Sequence, residues 1–235
     1  RISLSNHDSG GTGGEDSTTG NTIFGYGAGG TIDDGTFNNT FIGHKSGNGS
    51  KDDATYNTAV GQNSLFALTS GDRNTAMGSR ALLQLTSGSY NTTLGYYSGI
   101  GITTGVNNIH IGSLAGEGNT GASYLVGIGD DTFRIGGVTS GANGAVAVGY
   151  KASRYLTTGA GSTAVGLNAG QYNTTGDSST FIGSQAGQGI NDARLTGNAN
   201  TAVGRKAGFL LQGSAGGNTL LGYLTGDSIT TGTNN

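Results

Sequence analysis

Apolar and polar positions along this chain repeat with a step close to 17 residues. The clearest copy is 57–95, which reads NTAVGQNSLFALTSGDR, NTAMGSRALLQLTSGSY and NTTLG, and sets Gly61, Gly78 and Gly95 17 residues apart. Indexed on that glycine, the copies end at Gly25, Gly43, Gly61, Gly78, Gly95, Gly112, Gly129, Gly149, Gly166, Gly183, Gly204 and Gly222. The steps are 18, 18, 17, 17, 17, 17, 20, 17, 17, 21 and 18. A fixed period of this size predicts stacked coils, each one supersecondary unit that buries its apolar face against its neighbours.

Within a copy the residue before the glycine is apolar in every case, from Phe24 and Ile42 to Val203 and Leu221. The residue three before is Thr in nine copies, and Ile109, Val126 or Val146 in the others. Two β-branched or apolar positions two residues apart share one face of a strand. We read this as the inward face. The residue between them points the other way and carries no charge in any copy. A strand with one wet face alternates apolar and polar residues, and this one does not. The expectation is a second dry face, covered by another copy of the chain. Its residues include Phe41, Ala59, Ala76, His110, Ala147, Ala164, Phe181 and Ala202, which are expected to face a trimer partner.

Other columns complete the coil. Asn lies four before the glycine in eight copies (Asn21, Asn39, Asn57, Asn74, Asn91, Asn108, Asn200, Asn218), where stacked amides can bond from rung to rung. A small residue follows three after the glycine in ten copies, among them Ser46, Ala81 and Ala152. Leu68, Leu85, Ile102, Leu156 and Ile229 mark a short apolar stretch, and a Thr/Gly turn such as Thr69-Ser70-Gly71 closes the copy. The fold class predicted is all-β: a parallel β-roll or β-solenoid of about twelve coils, roughly 60 Å long at the spacing of stacked strands. Residues 1–20 read as an irregular lead-in and 21–235 as the repeat array. Asn235 begins a further copy, so the array reads as a segment of a longer one.

Composition narrows the choices. Gly makes up 49 of 235 residues, with no Pro, Cys or Trp and only 11% charged residues. The glycines lack the three-residue period of collagen. Low charge disfavours a solvated tail. With 11 basic and 14 acidic residues, net charge −3, no basic stripe is available for nucleic acid. No apolar run reaches membrane-spanning length.

The segments Leu125-Val126-Gly127-Ile128-Gly129, Asn108-Ile109-His110-Ile111-Gly112 and Ala145-Val146-Ala147-Val148-Gly149, with the small residues Ala152 and Ala81 after their glycines, resemble the head repeats of YadA-like trimeric autotransporter adhesins. Similar repeats also occur in phage tail fibres. The resemblance covers about Asn21 to Asn235. It implies a left-handed parallel β-roll, a homotrimer joined along the inner strands, and attachment to surfaces outside the cell. The coil here is slightly longer than the family's, and Thr replaces Val in nine copies. No stalk, neck or membrane anchor is visible.

Little else points to chemistry. His7, His44 and His110 lack partners at metal-ligand spacing. Glycine runs such as Gly25-Tyr26-Gly27 lack the βαβ context of a dinucleotide site. The run Gly127 to Phe133 is similar to one calcium-binding nonapeptide of β-roll toxins, a motif that needs tandem copies. Asp33-Asp34 and Asp52-Asp53 read as solvated turns. The insertions, at Asp130–Asn143 and Gln185–Asn200, are candidate binding loops through Phe133, Arg134, Asp192 and Arg194, since insertions in arrays map to loops. No catalytic residue, cofactor or metal is expected. The leading expectation is a non-enzymatic extracellular fibre segment at a cell surface or virion appendage. Its receptor would be a surface protein, a matrix component or a glycan. The alternatives are a tail-fibre shaft, a glycan-degrading tailspike, and an ice-binding solenoid resting on Thr69, Thr86, Thr103, Thr157, Thr174 and Thr230.

Overall fold

A computed structural model describes residues 20–32, 35–49 and 52–235; His7 and Asp33-Asp34 lie outside the described residues. Twelve strands of three residues each, from β1 (Thr22–Phe24) to β12 (Thr219–Leu221), form one parallel sheet in sequence order. Each strand is the triplet that precedes an index glycine. Pairing is in register throughout, as in Thr58↔Thr75, Ala59↔Ala76 and Val60↔Met77. The longer copies keep it too: Val126 pairs with Val146 and Thr180 with Thr201. The molecule is therefore a parallel β-solenoid of twelve coils. No α-helix occurs among the described residues; the first insertion adds a single 3-10 turn, Ser140–Ala142.

Each strand ends where the chain turns sharply and stacks directly on the next coil. Gly61 has φ 131°, and a Cβ there would stand 2.6 Å from the carbonyl oxygen of Gly78. Only glycine fits such an approach. At the other end of the strand the asparagines form the expected ladder. Asn57 Oδ1 accepts from the backbone N–H of Asn74 at 2.9 Å and from its Nδ2 at 3.0 Å, while Asn74 Nδ2 also donates to the Gly88 carbonyl at 2.8 Å. All eight asparagines are fully buried. They satisfy backbone groups that a wall this thin exposes to no water. Where Leu125 takes the place, its N–H still reaches Asn108 Oδ1 at 3.0 Å. Ser162 and Ser179 carry the ladder on to Asn200.

The strand faces are reversed from the sequence-based expectation. The middle residue points into its own coil: Phe41, Ala59, Ala76, His110, Ala147 and Ala202 are 0% exposed, and Ala164 and Phe181 1%. These eight therefore do not face a partner; they are the core. The residues read as inward lie on the outside, with Phe24, Met77 and Leu94 more than 40% exposed. The reason is steric. The coil is filled by the middle residue together with the residue six positions later, and in most coils their sizes compensate; where both are small, as at Ala164/Gly170 and Ala202/Gly208, Phe181 and Leu220 of the next rung lie against the glycine. Ala59, Ala76 and Gly127 are matched by Leu65, Leu82 and Phe133, all buried. Phe41 and His110 are matched by Gly47 and Gly116, where a Cβ would come within 2.5 Å of the ring opposite.

This compensation is testable by urea denaturation. Ala59→Phe alone overpacks the coil and loses about 1–3 kcal/mol. Leu65→Gly alone empties it and loses at least about 2–5 kcal/mol. The double variant, which copies the Phe41/Gly47 pair, is expected within about 1.5 kcal/mol of the parent. Additive losses would show that the two positions do not share one space.

Candidate functional site

The outer face of the sheet is a continuous feature that runs along all twelve rungs. Its first column is Thr or a β-branched aliphatic residue on every rung, and its second is apolar on every rung. Along the second column Met77, Leu94, Ile128, Ile182 and Leu221 are exposed and the aliphatic residues between them half-buried. Eleven rung steps give a strip roughly 53 Å long and on the order of 500 Å². That is near the upper end of what a monomer leaves exposed. No charged side chain interrupts it.

The insertion residues do not form one pocket. Phe133 is fully buried, filling the space left by Gly127 and meeting the His110 ring edge-on at 6.2 Å. Arg134 is tied down: its Nε donates to Glu117 at 2.6 Å and its Nη1 to Asp131 at 2.9 Å. The hydrogen bond that it donates to Glu117 does most to raise its pKa. Arg154 takes the other Asp131 oxygen at 3.4 Å. The one acidic residue of the calcium-like run that is buried therefore has both oxygens facing arginines. In the second insertion Arg194 lies over the Tyr155 ring at 4.4 Å, and Asp192 is exposed. Tyr155 in turn stacks on Tyr172 at 5.0 Å. Because Arg154 also lies 5.5 Å from Tyr155, both insertions brace the same coil. Their spacing in the sequence does not reveal this, since the bracing residues come from three coils.

The turn threonines are also committed to the scaffold. Thr69, Thr86, Thr103, Thr157 and Thr174 each donate the hydroxyl to a carbonyl of the next coil, at 2.9, 3.1, 3.0, 2.9 and 3.1 Å. His44 stacks on Tyr26 at 5.6 Å.

His110 is the one strongly perturbed base among the described residues. Its Nε2 accepts from Asn119 Nδ2 at 3.4 Å, while Nδ1 has no partner. Full burial pushes its pKa down to about 4. A scan against protein-family models returns no match for this chain, and comparisons with curated proteins and with solved structures return none either. Among the described residues no group of three or more His, Cys, Asp or Glu converges, and no helix is long and apolar enough to cross a membrane.

The His110 shift sets a pH dependence. The unfolded chain takes up a proton near pH 6.5 and the folded chain only near 4, so stability is full above 6.5 and falls as pH drops through that window. The loss approaches roughly 3 kcal/mol at about 1.4 kcal/mol per pH unit. Urea denaturation at pH 7 and 4.5 should show a smaller loss for His110→Phe than for the parent, by about 2–3 kcal/mol. Equal losses would mean that His110 is not held neutral.

Proposed function

We propose that this chain is part of an extracellular attachment fibre in which three copies pack their sheets about a common axis as a left-handed β-roll. The observation that carries this reading is the outer strand column, apolar on all twelve rungs and without a charge. Keeping such a strip in water costs roughly 25 cal/mol per Å². Identical chains offer identical columns at the same rung pitch, so a second and third copy cover it along its whole length. The threonines beside it add short polar groups that pair across close-packed strands. The assembly is a stiff rod whose turns and insertions face outward, placed at a cell surface or on a virion appendage. Its work is adhesion rather than catalysis. A tail-fibre shaft uses the same architecture and differs only in what the rod is joined to.

Light scattering over a wide concentration range should give a constant mass of three times 23.3 kDa. Val60→Asp combined with Met77→Asp should release folded monomers, because two charges per chain then sit in a dry seam. A folded parent monomer at all concentrations would reject the fibre reading.

The same face supports one other reading. Nine of the twelve rungs, spaced about 4.8 Å apart, carry threonine in one column beside β-branched and other apolar residues, interrupted by Ile109, Val126 and Val146, and the two threonine runs form regular arrays of the kind that orders water. Unlike the turn threonines, they take no part in rung-to-rung hydroxyl bonds. Ice binding requires this face bare, whereas the fibre requires it covered. Thermal hysteresis from a monomer selects ice binding; a trimer without hysteresis removes it.

A further inference from the structure

A second column, at the corner just ahead of the sheet, carries exposed aromatic residues at a fixed interval. Six successive coils place Asn38, Tyr56, Arg73, Tyr90, Asn107 and Tyr124 at the same position, all exposed and all with φ between 54° and 61°. Asn adopts this left-handed conformation readily, whereas Tyr and Arg do so at a cost in strain. The chain nevertheless carries aromatic rings there on every second rung. Tyr56, Tyr90 and Tyr124 are 53%, 52% and 59% exposed. Arg73 lies between the first two, its guanidinium 5.0 Å from the Tyr56 ring and 5.4 Å from that of Tyr90. Its Nη1 also meets the Tyr90 hydroxyl at 3.2 Å. The column backbone is held rung to rung, with the Tyr90 N–H on the Asp72 carbonyl at 2.9 Å and the Tyr124 N–H on Val106 at 3.0 Å.

We propose that this column binds an extended, neutral, β-linked glycan lying parallel to the coil axis. The inference deepens the attachment reading and rests on it. Tyrosines two rungs apart recur at about 9.6 Å. That interval is close to the repeat of two sugars in an extended β-linked chain. On the part of their surface that Arg73 leaves open, the half-exposed rings offer apolar contact to the C–H groups of pyranoses, and Tyr56 and Tyr124 add hydroxyls at the rim. The amides of Asn38 and Asn107 and the guanidinium of Arg73 fall between the rings, where sugar hydroxyls lie. Equal intervals along a rigid rod match a polymer that itself repeats, which an ordinary protein surface does not. One cation in six residues, already placed between two rings, favours a neutral chain over an anionic one.

Calorimetric titration of the assembled protein with cellohexaose and chitohexaose tests this. At least one hexamer should bind roughly tenfold more tightly than its own disaccharide, because only the longer chain engages successive tyrosines. Coiled maltohexaose should bind no better than maltose. Tyr90→Ala should weaken hexamer binding about tenfold, the scale of one aromatic contact, with the mass in solution unchanged. No binding to either hexamer, or no gain with length, overturns the proposal. If Tyr90→Ala changes the oligomeric mass, the column is a contact between copies and the proposal is likewise overturned. A trimer that ignores glycans leaves the fibre reading standing, whereas a monomer that binds them removes only the fibre.

Discussion

One turn of this solenoid encloses a channel little wider than a single side chain, and most rungs are filled by one large residue from one side or the other of that channel. The strand contributes its middle residue and the far wall contributes the residue six positions on. Where one is Phe or His the other is Gly; where the strand residue is Ala or Gly the far residue can be Leu or Phe. Packing at crystal-like density leaves no slack for both to be large. The rungs therefore keep one backbone path while the sequence varies, and that constancy keeps twelve strands in register.

Register in turn makes the polar interior possible. A wall one chain thick has no second layer to satisfy its backbone groups. The buried asparagines do this by accepting from one rung and donating to another, and each works only because its neighbour sits one rung away. The same logic holds for the turn threonines and for the glycine corner, where carbonyl and Cα approach too closely for a side chain. His110 is the exception, a titratable group inside this dry channel with one nitrogen unpartnered. Its burial makes the stability of that coil depend on pH.

With the interior filled by the middle residues, the β-branched and apolar columns are left outside. This is what gives the molecule a surface to use. A flat, uncharged strip the length of the rod is a poor monomer surface and a good seam between identical rods. The corner column of tyrosines, set in left-handed backbone, faces away from the core and adds little to it. On the proposed reading the two separate assembly from recognition: one column would join copies, and the other would meet something that repeats along its length.

Much of this architecture is legible in the chain itself. The period, the twelve strands, the Asn ladder, the small corner residues and the buried Leu68, Leu85, Ile102 and Leu156 follow from residue identity alone, because each depends on contacts one rung away and the repeat shows what lies there. Which strand face is inward does not follow from residue identity, since both faces of a three-residue strand are uncharged and hydrophobicity does not separate them. The signal was present in the pairing of Phe41 with Gly47 and of Ala59 with Leu65, a size rule across six residues rather than a pattern along the strand. The bracing of Arg134, Arg154 and Arg194 around Asp131 and Tyr155 was decided only by tertiary structure. Those contacts join side chains from different coils across insertions of unequal length, and no period in the sequence relates them.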